Sequence, residues 1–127
     1  MMKTNIKNSF ILGELAKLGN GDVIVIGSVD FPIPETAALI DVSIKDGMPT
    51  IEDIVEPLLL DCSFASITMC DELEKEFQGI KKDIIKLTKF ELAESLTFRQ
   101  LKVVSKNAKF VIRTGDSNEY KSIILTM

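Results

Sequence analysis

The sequence predicts an α/β domain with a mainly parallel sheet. Two observations carry that expectation. Apolar runs such as Val-Ile-Val-Ile at 23–26 do not alternate with polar residues, which is the pattern of strands covered on both faces. Segments with helical spacing separate those runs, as the crossovers between parallel strands require. The chain has 127 residues and shows no internal repeat, low-complexity tract or linker, which fits one domain with its own core.

Taken in order, Asn8 or Ser9 caps a helix reaching about residue 18, with Phe10, Ile11, Leu15 and Leu18 on one face. Gly19 and Gly21 stop it, and residues 22–26 read as a buried strand. Phe31-Pro-Ile-Pro-Glu is extended loop, because each proline turns its predecessor away from helix. Residues 38–42 form a second strand candidate. Thr50 opens a helix over 50–61 with a Thr-x-x-Asp capping pattern, and Pro57 is expected to kink or end it. Residues 64–69 read as a strand, 70–77 as a short charged helix broken at Gly79, and 80–87 as a helix. The segment 90–98 is ambiguous: its first half reads as strand, its second as the start of a helix running through Val104. Residues 109–113 are a strand, 115–118 a turn and 122–126 a last strand.

Composition removes several function classes. Hydrophobic residues make up 46% and charged residues 27%, with a net charge of −4, so the basic footprint that nucleic-acid binding needs is missing. The N-terminal stretch has no long apolar run. The expectation is a cytoplasmic protein with neither signal peptide nor membrane span. There is no histidine, and Cys62 and Cys70 are too few for a cysteine-only zinc site. Both are expected to be buried, reduced thiols, and no metal or cofactor is expected.

Local motifs carry little chemistry by themselves. Gly19-Asn20-Gly21 stands between a helix and a strand, the reverse of a dinucleotide fingerprint, and reads as a helix stop with a tight turn. Asp22 and Asp41 read as turn and cap residues. Asp30 follows a buried strand on the side where open α/β sheets bind ligands, but on local evidence it is an ordinary loop aspartate. Tyr120, the single tyrosine, lies between a turn and the last strand; Lys102 lies on the expected helix over 95–106. No serine stands in a G-x-S-x-G elbow, and no histidine is present to activate one.

Four blocks carry a resemblance: LGNGD (18–22), FPIPE (31–35), DGMPTIEDIVEPLL (46–59) and VIRTGDSNEYKSIIL (111–125). In order and spacing the chain resembles the D-ribose pyranase / L-fucose mutarotase family. The resemblance implies a three-layer α/β/α subunit and a ring-shaped homo-oligomer of pentamers, often two face to face, with sugar sites between neighbours. It also implies cofactor-free interconversion of pyranose and furanose forms, or of anomers, of a free ribose-like or fucose-like sugar. A base takes a proton from a hydroxyl, an acid protonates the ring oxygen, and the opened ring recloses differently.

Carried over residue by residue, the family's proton-handling groups are replaced. Its characteristic histidine falls at Asn20, an aspartate at Ser28, and a ribose-branch histidine at Phe98. The closing Tyr-x-Asn becomes Tyr120-Lys121-Ser122, so only the tyrosine matches, while Lys102 and Asp22 are kept. Asparagine binds hydroxyls but has no proton that titrates near neutrality. Acid/base catalysis is worth about 10² to 10⁴ in rate, so a carboxylate must substitute if activity persists. Asp30, two residues from the lost aspartate, is the candidate base, with Tyr120 as its partner. Asn20, Asp22, Ser28, Phe98, Lys102 and Ser122 are the candidate sugar contacts. Two readings stay open: an isomerase with an altered site, or a sugar-binding or regulatory oligomer with little catalysis. Geometry adds a condition. Positions 20 and 28 flank a strand rising about 3.3 Å per residue, so they lie roughly 15–25 Å apart. One small sugar reaches both only if the loops curl back or come from different subunits.

Overall fold

The computed structural model describes residues 4–86 and 94–127. Helix α1 (Ser9–Leu15) begins at Asn8, whose side chain accepts the Phe10 and Ile11 N–H groups. It ends one turn earlier than its apolar spacing suggested. The chain then turns through Gly21, whose φ of 86° suits glycine, into β1 (Val23–Gly27). β2 (Ala38–Asp41) follows, then α2 (Ile51–Asp61). The expected capping box is present: Thr50 accepts from Asp53, and Asp53 accepts from Thr50. Pro57 does not end α2, which continues to Asp61. The amide hydrogen proline lacks removes one bond from the ladder, and the buried face of Ile51, Val55 and Leu58 holds the remaining turns to the core.

β3 (Ser66–Cys70) leads directly into α3 (Asp71–Glu76), and α4 (Ile80–Lys86) follows after Gly79. Beyond the undescribed segment come β4 (Glu94–Leu96), α5 (Phe98–Ser105), β5 (Ala108–Arg113) and β6 (Ile123–Thr126). The strand and helix expected across 90–98 therefore meet at Thr97, the N-cap of α5; residues 90–93 lie outside the described residues.

The strands form one sheet in the order β2-β5-β1-β6-β3-β4. β1, β2 and β5 run parallel, as do β3 and β4. The expectation of a mainly parallel sheet needs one amendment: β6 lies at the centre and is antiparallel to both β1 and β3. Its direction follows from the chain. β6 leaves β5 through a loop only nine residues long, too short for a crossover helix. Ile24, Val25, Ile26, Val111 and Ile112 are fully buried, as strands with helices on both faces must be. α2 and α5 both pack on β1, which makes the fold a three-layer α/β/α arrangement.

Candidate functional site

The antiparallel β6 has a chemical consequence. Its first residue lies beside the last residues of β1, so the loop before β6 meets the loop after β1 at one end of the sheet. There the Ser28 N–H donates to Ser122 Oγ at 3.2 Å, and Ser122 Oγ donates to the Glu119 carbonyl at 3.1 Å. Ser28 is fully buried, and its Oγ has no hydrogen-bond partner among the described residues. A buried hydroxyl without a partner costs about 1–3 kcal/mol.

Three aromatic rings form one wall of this end. Phe98 meets Phe31 edge to face at 6.0 Å and meets Tyr120 edge to face at 5.2 Å. The Lys102 ammonium lies 5.0 Å from the Phe98 ring centre, one turn further along α5. Phe98 itself is only 7% exposed, so it acts as packing behind the site rather than as an open stacking surface. The N–H of Phe98 points at both carboxylate oxygens of Glu72, 3.0 and 3.2 Å away.

The Tyr120 backbone is held on both sides. Its N–H donates to Asn118 Oδ1 at 2.9 Å, and its carbonyl accepts from the Cys70 thiol. Burial pushes the Tyr120 phenol above its ordinary value, and the carboxylates of Glu119, Glu76 and Glu72 add to the shift. The hydroxyl is therefore a hydrogen-bond donor at neutral pH. Burial also raises the Cys70 and Cys62 thiols, so neither offers a ready thiolate. Both cysteines are free, Cys70 buried and Cys62 half-buried.

Asp30 sits exposed in the turn that the Phe31 N–H closes onto the Ser28 carbonyl at 3.1 Å. Among the described residues it has no ion pair, so its carboxylate is free at the rim. Asn20 and Asp22 lie elsewhere. Asn20 is exposed, and Asp22 Oδ2 accepts the Gly19 N–H at 2.8 Å, closing the turn at the start of β1. That turn is tied to the last residue by Gly21 N–H to Met127 carbonyl and Met127 N–H to Asp22 carbonyl, each 2.8 Å. Within one chain the structure thus gathers Ser28, Phe98, Lys102, Tyr120 and Ser122, with Asp30 at the rim. Asn20 and Asp22 stand at the opposite end of β1. Sequence reasoning missed Phe31 and Glu72 as parts of this wall. Phe31 was visible in FPIPE only as loop, and the contact from Glu72 to Phe98 spans 26 residues with no local signal. No three metal-binding side chains gather among the described residues, and no described helix is long and apolar enough to cross a membrane.

The model of the RbsD / FucU transport protein family matches residues 1–127. The chain belongs to the RbsD/FucU family. It is 33% identical to a D-ribose pyranase of Bacillus cytotoxicus over 125 residues, covering 98% of this chain and 95% of that protein. A D-ribose pyranase of Thermosipho africanus is 34% identical at the same coverage. Among solved structures, Bacillus subtilis RbsD complexed with D-ribose superposes with a TM-score of 0.91 at 32% identity, over 99% of this chain and 96% of that one. The fucose mutarotase of Streptococcus pneumoniae, in complex with L-fucose, shares the fold with a TM-score of 0.73 at 24% identity. This chain contains no histidine, and its Phe98 is buried.

Proposed function

We propose that this protein binds a free monosaccharide of the ribose class at the Ser28–Tyr120–Ser122 end of the sheet and catalyses opening and reclosure of its ring. The observation that carries this reading is the meeting of the loop after β1 with the loop before β6, where Ser28 joins Ser122 and where Tyr120 and Lys102 both contact Phe98. Full-length membership of the RbsD/FucU family, with relatives named D-ribose pyranase, supports the substrate class. In this mechanism Asp30 removes the proton of the anomeric hydroxyl. The ring C–O bond breaks as the ring oxygen is protonated, with the Tyr120 phenol donating through its hydrogen bond. The open-chain aldehyde recloses through a different hydroxyl or on its other face, and the protons return. The step is redox-neutral.

The separation of Asn20 from Ser28 favours a site completed by a neighbouring copy. In a ring-shaped homo-oligomer of pentamers, the Asn20 turn of one subunit supplies hydrogen bonds to a sugar held by the next. The protein acts in the cytoplasm on this reading. A second reading rests on a specific observation: Phe98 fills space with a buried, non-titrating ring, and no imidazole exists to carry protons. On that reading the protein binds sugar with little catalysis. Saturation-transfer NMR on D-ribose separates the two. Enhanced exchange between ring forms, lost in Asp30→Asn, supports catalysis. Binding without enhanced exchange assigns the protein to sugar binding alone, and neither binding nor exchange refutes both.

A further inference from the structure

Asp116 lies buried in the loop between β5 and β6 and reaches three other parts of the chain. Its carbonyl accepts the Val29 N–H at 3.0 Å, next to Ser28 in the loop after β1. Its Oδ2 accepts the Ile51 N–H at 2.7 Å, in the first turn of α2. Its Oδ1 lies 3.8 Å from the Lys121 ammonium. Lys121 stands between Tyr120 and Ser122, and its ammonium also lies 4.5 Å from the centre of the Phe77 ring.

A buried charge is costly unless it is paired. The Ile51 N–H needs an acceptor, but a neutral amide oxygen would serve it too. The dipole of α2 favours negative charge, and Glu52 and Asp53 already supply it in the first turn. What a neutral group at 116 would not do is hold Lys121. Solvent screens this pair little, because Asp116 is buried and Lys121 half-buried. Asp116 therefore ties the Ser28 loop by its backbone and the Tyr120–Ser122 segment by its side chain. Those two segments meet in the bond from the Ser28 N–H to Ser122 Oγ.

We propose that Asp116 and Lys121 are a positioning pair that holds the two segments of the sugar site against each other and so sets the affinity for D-ribose. Neither touches the sugar; both act through Ser28, Tyr120 and Ser122. The affinity part rests on the reading given under Proposed function, while the positioning part stands independently of it. Two readouts on the full-length protein separate the parts: hydrogen exchange at the Ser28 amide without ligand, and calorimetric titration with D-ribose. Lys121→Gln speeds exchange at Ser28 about tenfold. It also raises the Kd for D-ribose about fivefold. Asp116→Asn, which keeps an acceptor for Ile51, does the same. The double variant is no worse than either single one, as a coupled pair requires. Lys121→Arg restores the charge and brings both readouts most of the way back. Asp53→Ala breaks the capping box of α2 without touching Lys121, and leaves both readouts at wild-type values. Wild-type exchange at Ser28 in Lys121→Gln, or additive losses in the double variant, overturn the proposal. So do equal losses in Asp53→Ala, which would mean that Asp116 matters only through α2. An unmoved Kd in Lys121→Gln, where the wild type binds D-ribose, overturns it as well. If exchange at Ser28 responds as stated while the wild type binds no D-ribose, the free-sugar reading fails and the positioning pair stands.

Discussion

Replacing Glu72 by alanine tests whether α5, which carries both Phe98 and Lys102, is positioned from another helix. The local cap of α5 is complete: Thr97 accepts from Gln100, and Gln100 accepts from Thr97. It leaves the Phe98 N–H without a partner on its own helix, and both oxygens of Glu72 take that role from α3. A hydrogen bond to a charged group contributes about 1.5–3 kcal/mol, and a carboxylate at a helix N-terminus about 0.3–1 kcal/mol. Glu72 is half-buried, which favours the lower part of the combined range. Glu72→Ala should therefore cost about 2 kcal/mol. In a domain of this size that is a fall in Tm of roughly 6–10 °C. Glu72→Gln keeps an acceptor and loses the charge, so it should cost about half as much. Urea denaturation at neutral pH, with unchanged m-value, measures both, and hydrogen exchange at the Phe98 amide reports the bond itself. An alanine variant within about 0.5 kcal/mol of wild type, with Phe98 still protected, would reduce Glu72 to an ordinary surface charge and refute the reasoning.

Three further outcomes are expected. Gly115→Ala places a methyl group against the backbone carbonyl oxygens of Met48 and Lys45, which cannot swing aside; denaturant unfolding should show a loss of about 3 kcal/mol or more. Tyr120→Phe keeps the contact with Phe98 and removes only the hydroxyl, so sugar affinity should fall about 3- to 10-fold with the unfolding midpoint unmoved. Wild-type affinity should stay flat up to about pH 10, since the phenol is held above its ordinary value. At the acid end, the Ile6 N–H and then Asn5 hold the Asp61 carboxyl below its usual range, and the Ser43 hydroxyl with Arg113 does the same for Asp41. Depressed carboxylates contribute stability that is fully present above their unfolded value near 3.9 and is lost as pH falls through the lower folded value. Unfolding free energy should therefore drop between about pH 4 and pH 2, with a shallower drop in Asp61→Asn.

The strands and helices were legible because their signals are local. Val-Ile-Val-Ile announced a doubly covered strand, and Thr50 with Asp53 announced the start of α2. Two features had no local signal. Pro57 is a helix breaker by its own chemistry, and only the burial of Ile51, Val55 and Leu58 against the sheet carries α2 past it. The antiparallel direction of β6 depends on loop length and pairing partners, not on the apolar run Ile-Ile-Leu. The same limit applied to the site. Tyr120, Ser122 and Ser28 were visible as separate residues near strand ends. Their meeting is a product of β6 lying antiparallel to β1.

The fold demands some residues and leaves others free. Gly21 is demanded by a positive φ, Asp22 by the turn it closes, and Gly115 by the backbone against it. None of these can change without moving the chain. Position 20, an exposed turn tip, carries no such demand, whereas Ser28 and Phe98 are buried. Chemistry at position 20 can therefore change while the scaffold stays. Ser28 then matters more than its size suggests. Its buried hydroxyl has no partner among the described residues, a cost of about 1–3 kcal/mol that a purely structural alanine would avoid. On the proposed reading, that cost marks the sheet end where Ser28 joins Ser122 as the place to test for a hydroxylated ligand.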